Sequence, residues 1–167
     1  VTPGQILWIN LVTDSSAVIP LGLEPPERGV MGRPPRAPAA PLLDRVLIER
    51  MLLVAALMAF SALSIFSLYL DEGLAKAQTM AFLVLVVMQW ANAFNARSEF
   101  TSLFELHRRN GKLLLGIGVA AALQVLVFTT PLGELLSVIP PAPEDLLWLI
   151  PPAFAMIGFV EAHKAFY

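Results

Sequence analysis

Five apolar runs separated by short polar stretches set the pattern of this 167-residue chain. The first covers residues 1–23, with Asp14 as its one formal charge, and charge-free runs follow at 51–70, 77–96, 113–133 and 146–160. A helix that crosses a bilayer needs about 20 apolar residues, so the three middle runs qualify on length alone. The run at 146–160 is short, but Glu161 and Lys164 can snorkel from its end and Trp148 suits an interfacial belt. Its Pro151-Pro152 pair implies a kink or a late helix start. The pattern predicts an all-α polytopic membrane protein with five spans, at about 4–23, 48–70, 76–97, 112–132 and 145–163.

Charge fixes an expected orientation. With the N-terminus extracytoplasmic, ten of the eleven Lys and Arg residues fall inside: Arg28, Arg33, Arg36, Arg45, Arg50, Arg97, Arg108, Arg109, Lys112 and Lys164. Lys76 alone falls outside, where Asp71, Glu72, Glu134, Glu144 and Asp145 gather. Five spans then leave the C-terminus cytoplasmic. Residues 24–45 form the longest connection, and their six prolines favour an extended path over regular helix. A solvated linker, contact with anionic lipid heads and docking on a partner domain all fit that composition.

Composition agrees with the runs. Hydrophobic residues make up 57% and charged residues 14%, and mean hydropathy is +0.71, more apolar surface than a soluble core of this size hides. A net charge of −2 argues against nucleic acid as a partner. The absence of cysteine removes disulfides and thiolate metal sites. The first run is too long for a signal peptide and lacks a basic flank. A chain opening on Val at the edge of an apolar run looks like a piece of something longer.

Candidate chemistry concentrates in the first run. A carboxylate within a span costs roughly 2.5–3.5 kcal/mol on insertion scales, so Asp14 is expected to have a use. Asn10, Thr13 and Asp14 stand at i, i+3, i+4, which on an α-helix shares one face and groups three hard oxygen donors suited to calcium or a similar cation. Among the other polar residues, Gln89, Asn92 and Asn95 lie in the run at 77–96. Amides in a span usually bond between helices, and Gln89, the deepest, is the one placed to face an ion path. Gly116 and Ala120 form a small-xxx-small pair. His107 and His163 have no partners at metal spacing. Phosphate loops and hydrolytic triads are missing, so this stretch is not expected to hydrolyse nucleotide alone.

Gln5-Ile6-Leu7-Trp8-Ile9-Asn10-Leu11-Val12-Thr13-Asp14, followed by Leu21-Gly22-Leu23-Glu24-Pro25-Pro26, resembles the sixth transmembrane helix of type-II P-type cation ATPases. Val30-Met31 and Arg33-Pro34-Pro35-Arg36 are similar to the cytosolic loop after that helix, and residues 89–99 resemble the eighth helix. The resemblance covers the family's last five helices and implies a calcium-pump-like C-terminal membrane domain. It further implies that the sixth helix is partly unwound around Asn10, Thr13 and Asp14, whose oxygens bind the transported cation. Gln89 stands where the family's calcium pumps commonly carry an acid, which favours a single ion site. Ser15-Ser16-Ala17-Val18-Ile19-Pro20 departs from the family's usual run. Calcium is the first expectation, with manganese, sodium or proton-coupled exchange left open. ATP and magnesium would act through a phosphorylation domain and nucleotide site outside these residues, leaving the chain inactive alone. The expected partners are lipid bilayer, upstream membrane helices and that phosphorylation domain, which residues 24–45 would contact, in the cell membrane of a prokaryote. A free-standing membrane scaffold or regulatory subunit is the alternative.

Overall fold

The computed structural model describes residues 1–24, 32, 43–98, 102–103 and 110–166, and every described regular element is helical. The prolines of residues 24–45 and His107 lie outside the described residues. The first run forms α1 (Pro3–Trp8), a π-helical segment (Ile9–Asp14) and α2 (Ser15–Gly22), without a break between them. There follow α3 (Arg45–Tyr69), α4 (Leu74–Asn95), α5 (Gly111–Thr129), the short α6 (Leu132–Leu135) and α7 (Pro143–Leu147), and α8 (Ile150–Ala165). Four stretches, Arg45–Glu72, Leu74–Asn95, Gly111–Thr129 and Pro143–Ala165, are long and apolar enough to cross a membrane. The first run is divided by its π turn, so neither flanking α-helix reaches that length by itself.

Capping side chains start the helices where the apolar runs begin. Thr2 and Gln5 form a reciprocal capping box at α1, Asp44 accepts from the Leu47 amide at α3 (2.8 Å), and Asn110 accepts from the Leu113 amide at α5 (3.0 Å). The proline pair opens α8 just after Ile150, which is the late start expected of it. Between α3 and α4 the chain reverses at Gly73, whose φ of 118° suits a residue without a β-carbon.

Helix α4 is the centre of the bundle. Some 56% of its most apolar stretch is buried, against 11–22% for the other three long helices. Phe82, Val84, Met88 and Met80 on α4 close against Ile65 of α3 and Met156 and Val160 of α8. Large apolar side chains point outward instead on the outer helices, Phe60, Leu63, Leu115 and Phe154 among them. So continuous an apolar exterior is what hydrocarbon solvates and water does not.

Polar clusters pin both ends of this core. At one end the Tyr69 hydroxyl donates to Asp145 Oδ1 (2.9 Å), the Ala142 amide donates to Oδ2 (2.8 Å), and Lys76 Nζ lies 3.1 Å from that carboxylate. Lys76 also sits over the Tyr69 ring, 5.0 Å from its centre. At the other end Lys164 Nζ donates to the Asn95 carbonyl (2.9 Å) and pairs with Glu161 (3.1 Å), which receives the Ser102 hydroxyl and the Leu103 amide. Because Asp145 is buried and holds three donors, Asp145→Ala should cost about 3 kcal/mol by stranding them. Tyr69→Phe, which removes one hydrogen bond, should cost about 1 kcal/mol. Thermal unfolding of the two variants checks the order.

Candidate ion site on the first helix

The π segment Ile9–Asp14 holds the three oxygen-bearing residues of the first run. Its sequence is a poor α-helix interior: Ile9, Val12 and Thr13 are β-branched, while Asn10 and Asp14 compete with the backbone for hydrogen bonds. On its C-terminal side the Ser16 hydroxyl bonds back to the Thr13 carbonyl (2.8 Å), and Pro20 has no N–H to return to the Ser16 carbonyl. These features weaken the helix where it widens. The helix is therefore widened through the Asn-x-x-Thr-Asp set while remaining helical, where the family resemblance implied partial unwinding. Single π turns are rare and recur at functional sites.

Widening changes how the three side chains lie. On an ordinary α-turn Asn10, Thr13 and Asp14 would share one face, as the spacing predicts. In the π turn Thr13 is fully buried toward the bundle, Asp14 is half-buried and Asn10 is exposed. The wider i→i+5 turn swings residues three apart further round the axis and keeps residues four apart close to one line, so Thr13 turns into the bundle while Asn10 and Asp14 stay on a common, more open side. Among the described residues, no side chain forms a hydrogen bond or ion pair with Asp14 or Asn10. Beside Asn10 the exposed neighbours along the helix are apolar, Ile6, Leu7 and Leu11. A carboxylate in such surroundings favours a cation or a proton. No group of three His, Cys, Asp or Glu gathers among the described residues, so any cation here would rely on amide, hydroxyl and backbone oxygens besides Asp14.

Helices α4 and α5 both pack on the π segment. Gln89 of α4 has a buried Oε1 without a hydrogen-bond partner, and no hydrogen bond joins it to Asn10, Thr13 or Asp14. Asn95 instead serves the bundle, donating to the Met156 carbonyl (3.2 Å). One polar residue beside the site, Gln124, escaped the reading of the sequence. Trp8 Nε1, just before the π turn, donates to Gln124 Oε1 of α5 (3.1 Å). A lone amide in the otherwise apolar run 113–133 was the available signal, of the same kind as Gln89.

Two contacts hold the far end of this helix. Gly116 of α5 lies so close that an added β-carbon would stand 2.1 Å from the Ser16 carbonyl oxygen, so the small-xxx-small pair marks a real approach. Beyond α2, Glu24 accepts from Arg97 Nη2 (2.8 Å) and Nε (3.2 Å) and from Asn110 Nδ2, which also donates to the Pro20 carbonyl (3.2 Å). Glu24→Gln should therefore lower stability by about 2 kcal/mol, read as a fall in midpoint on thermal unfolding.

The family model for the C-terminus of cation transporting ATPases matches residues 1–166. A probable cation-transporting ATPase F of Mycobacterium bovis is 37% identical over 89% of this chain and 17% of its own length. A calcium-transporting ATPase of Bacillus subtilis is 33% identical over 97% of the chain and 19% of its own length. The rat calcium-transporting ATPase type 2C member 2 is 32% identical over 87% of the chain and 16% of its own length. The chain thus spans less than a fifth of these curated relatives. An all-helical bundle with four membrane-length helices and a match along nearly its whole length place this chain in the family of cation-transporting ATPase C-termini.

Proposed function

We propose that these residues form the ion-binding membrane part of an ATP-driven pump, and that Asn10, Thr13 and Asp14 coordinate the transported cation. The observation that carries this reading is the π turn. It falls on the one unneutralised carboxylate of the first run and turns side-chain oxygens to different sides of one helix. In this reading the first run is a fifth span, with its start extracytoplasmic and the chain's end cytoplasmic. Among the described residues, Lys76 beside Asp145 at one end and Arg45, Arg97, Lys112 and Lys164 at the helix ends opposite support that sense. Gln89 reaches the same ion from α4.

The coordination shell is only partly supplied here. Calcium takes 6–8 oxygens, more than these four side chains provide. Exposed Asn10 and half-buried Asp14 therefore face membrane helices outside this chain, which complete the site and cover Leu7 and Leu11. Energy comes from ATP hydrolysis through an aspartyl phosphate in domains also outside it, and residues 24–45 relay that chemistry to the first helix. Calcium is the proposed cargo: two of the named relatives are calcium-transporting ATPases, and hard oxygen donors with a single carboxylate suit it. The site belongs to a prokaryotic cell membrane, in keeping with the bacterial relatives.

Inverted vesicles containing the full-length protein test the cargo. ATP-dependent accumulation of radiolabelled calcium, above that of manganese or sodium, is the expected result. ATP-driven uptake of one of those other ions without calcium uptake contradicts the assignment.

A further inference from the structure

Helix α5 touches the first helix on both sides of the π turn. Before the turn, Trp8 Nε1 donates to Gln124 Oε1 (3.1 Å). After it, Gly116 lies against the Ser16 carbonyl and the Pro20 ring, and Asn110 Nδ2 donates to the Pro20 carbonyl (3.2 Å). The Trp8 and Ser16 contacts are eight residues apart on each helix, at 8 and 16 and at 124 and 116, so the two helices run antiparallel and in step. On α5 that interval is uninterrupted α-helix, about 12 Å long. On the first helix it contains the whole of Ile9–Asp14.

Two contacts in step constrain the turn between them. A π turn holds one residue more than an α turn, and each α-helical residue advances the chain by about 100°. If Ile9–Asp14 relaxed to ordinary α-helix, Trp8 and Ser16 would rotate against each other by an angle of that order, and one of them would leave α5. Docking of the helix as a whole does not hang on the Trp8 bond. Gln5 Nε2 donates to the Leu136 and Ser137 carbonyls (3.3 and 3.4 Å) at one end, and Asn110 holds the other. The Trp8 bond acts at the edge of the turn itself.

Gln124 is a poor choice for stability alone. It is 6% exposed, and its Nε2 is buried without a hydrogen-bond partner. An indole N–H only donates, so Trp8 takes Oε1 and leaves the other half of the amide unpaired. A stranded N–H offsets much of what one hydrogen bond contributes. A directional bond does fix a rotation, however, and Trp8 is where rotation matters. Counted at i→i+5 from Trp8, the first wide turn closes at Thr13. We infer that Gln124 is a positioning residue for the ion site proposed above: through Trp8 it holds the π turn in the wide register that sends Thr13 into the bundle and leaves Asn10 and Asp14 on the open side. Gln124 itself is no ligand, and the inference rests on the assignment of those three residues as ligands.

Calcium titrations of aspartyl phosphorylation from ATP, run on the full-length protein beside thermal unfolding, test this in Gln124→Leu, Trp8→Phe and the double variant, with Asp14→Asn as reference. Each single variant should raise the calcium concentration at half-saturation about five- to tenfold, with the maximal phosphoenzyme level unchanged. The double variant should match the singles, because all three lack the same bond. Trp8→Phe keeps an aromatic ring in the bundle, so it decides the matter even if Gln124→Leu fails to fold. With Asp14→Asn shifted, wild-type half-saturation in Trp8→Phe, or shifts that multiply in the double variant, would overturn the inference. Wild-type half-saturation in Asp14→Asn, or no calcium dependence in the wild type, would overturn the ion-site reading and the inference with it.

Discussion

Gly116→Ala is expected to destabilise the full-length protein by about 3 kcal/mol or more, while Gly118→Ala leaves it unchanged within about 0.5 kcal/mol. The two glycines lie on one helix, two residues apart, with the same helix-propensity gain on substitution. They differ in what a methyl group would meet. At Gly116 it would stand 2.1 Å from the Ser16 carbonyl oxygen and 2.9 Å from Pro20 Cγ, whereas at Gly118 nothing lies within 4 Å. A backbone carbonyl and a pyrrolidine ring yield little, so the first helix and α5 must part by roughly an ångström. Separation on that scale also disturbs the Trp8–Gln124 hydrogen bond beside the π turn, so transport should fall along with stability. Thermal unfolding and ATP-driven uptake in the same preparations measure both effects. A Gly116→Ala protein as stable as Gly118→Ala would show that the helices do not approach as described.

Asp14→Asn is the second large effect, and it should act on function without acting on the fold. Among the described residues nothing bonds to the Asp14 carboxylate, so an isosteric amide leaves no partner stranded. Stability should hold within about 0.5 kcal/mol, or rise because a charge no longer has to be buried. Cation affinity should drop by a factor on the order of a hundred to a thousand. A unit charge pair at contact is worth about 4 kcal/mol at the effective dielectric of partly buried sites, near a thousandfold, and the cost of desolvating ion and carboxylate offsets what calcium's second charge adds. A loss of folding in Asp14→Asn that matched the loss of transport would instead mark Asp14 as a structural residue.

The long apolar helices were legible because hydrocarbon imposes a continuous, charge-free length that the runs at 51–70, 77–96 and 113–133 display directly. The helix start at Pro151-Pro152 was legible for a stereochemical reason, since proline suits a first turn. The π turn was not readable from periodicity. Its extra residue lies in the hydrogen-bond register, and neither apolar spacing nor the Asn10–Thr13–Asp14 interval records register. That is why one shared face was expected and Thr13 was found turned into the bundle, away from Asn10 and Asp14. Gly116 announced a close approach through its small-xxx-small spacing, but its partner, a carbonyl freed by Pro20 a hundred residues away, has no local signature. The Tyr69–Asp145 and Glu24–Arg97 bonds likewise join residues far apart in the chain, so only packing reveals them. Residues 24–45, whose docking on a phosphorylation domain the resemblance implies, lie almost wholly outside the described residues.

In the proposed site the transported cation is held by the oxygens of the π turn. This is tested most directly by titrating calcium-dependent aspartyl phosphorylation from ATP in full-length wild-type protein and in Asn10→Ala, Thr13→Ala and Asp14→Asn. Half-saturation should shift to higher calcium in all three, most in Asp14→Asn, while Asp145→Asn, in the Tyr69–Lys76 cluster at one end of the bundle, stays near wild type. Wild-type calcium dependence in Asp14→Asn would contradict it.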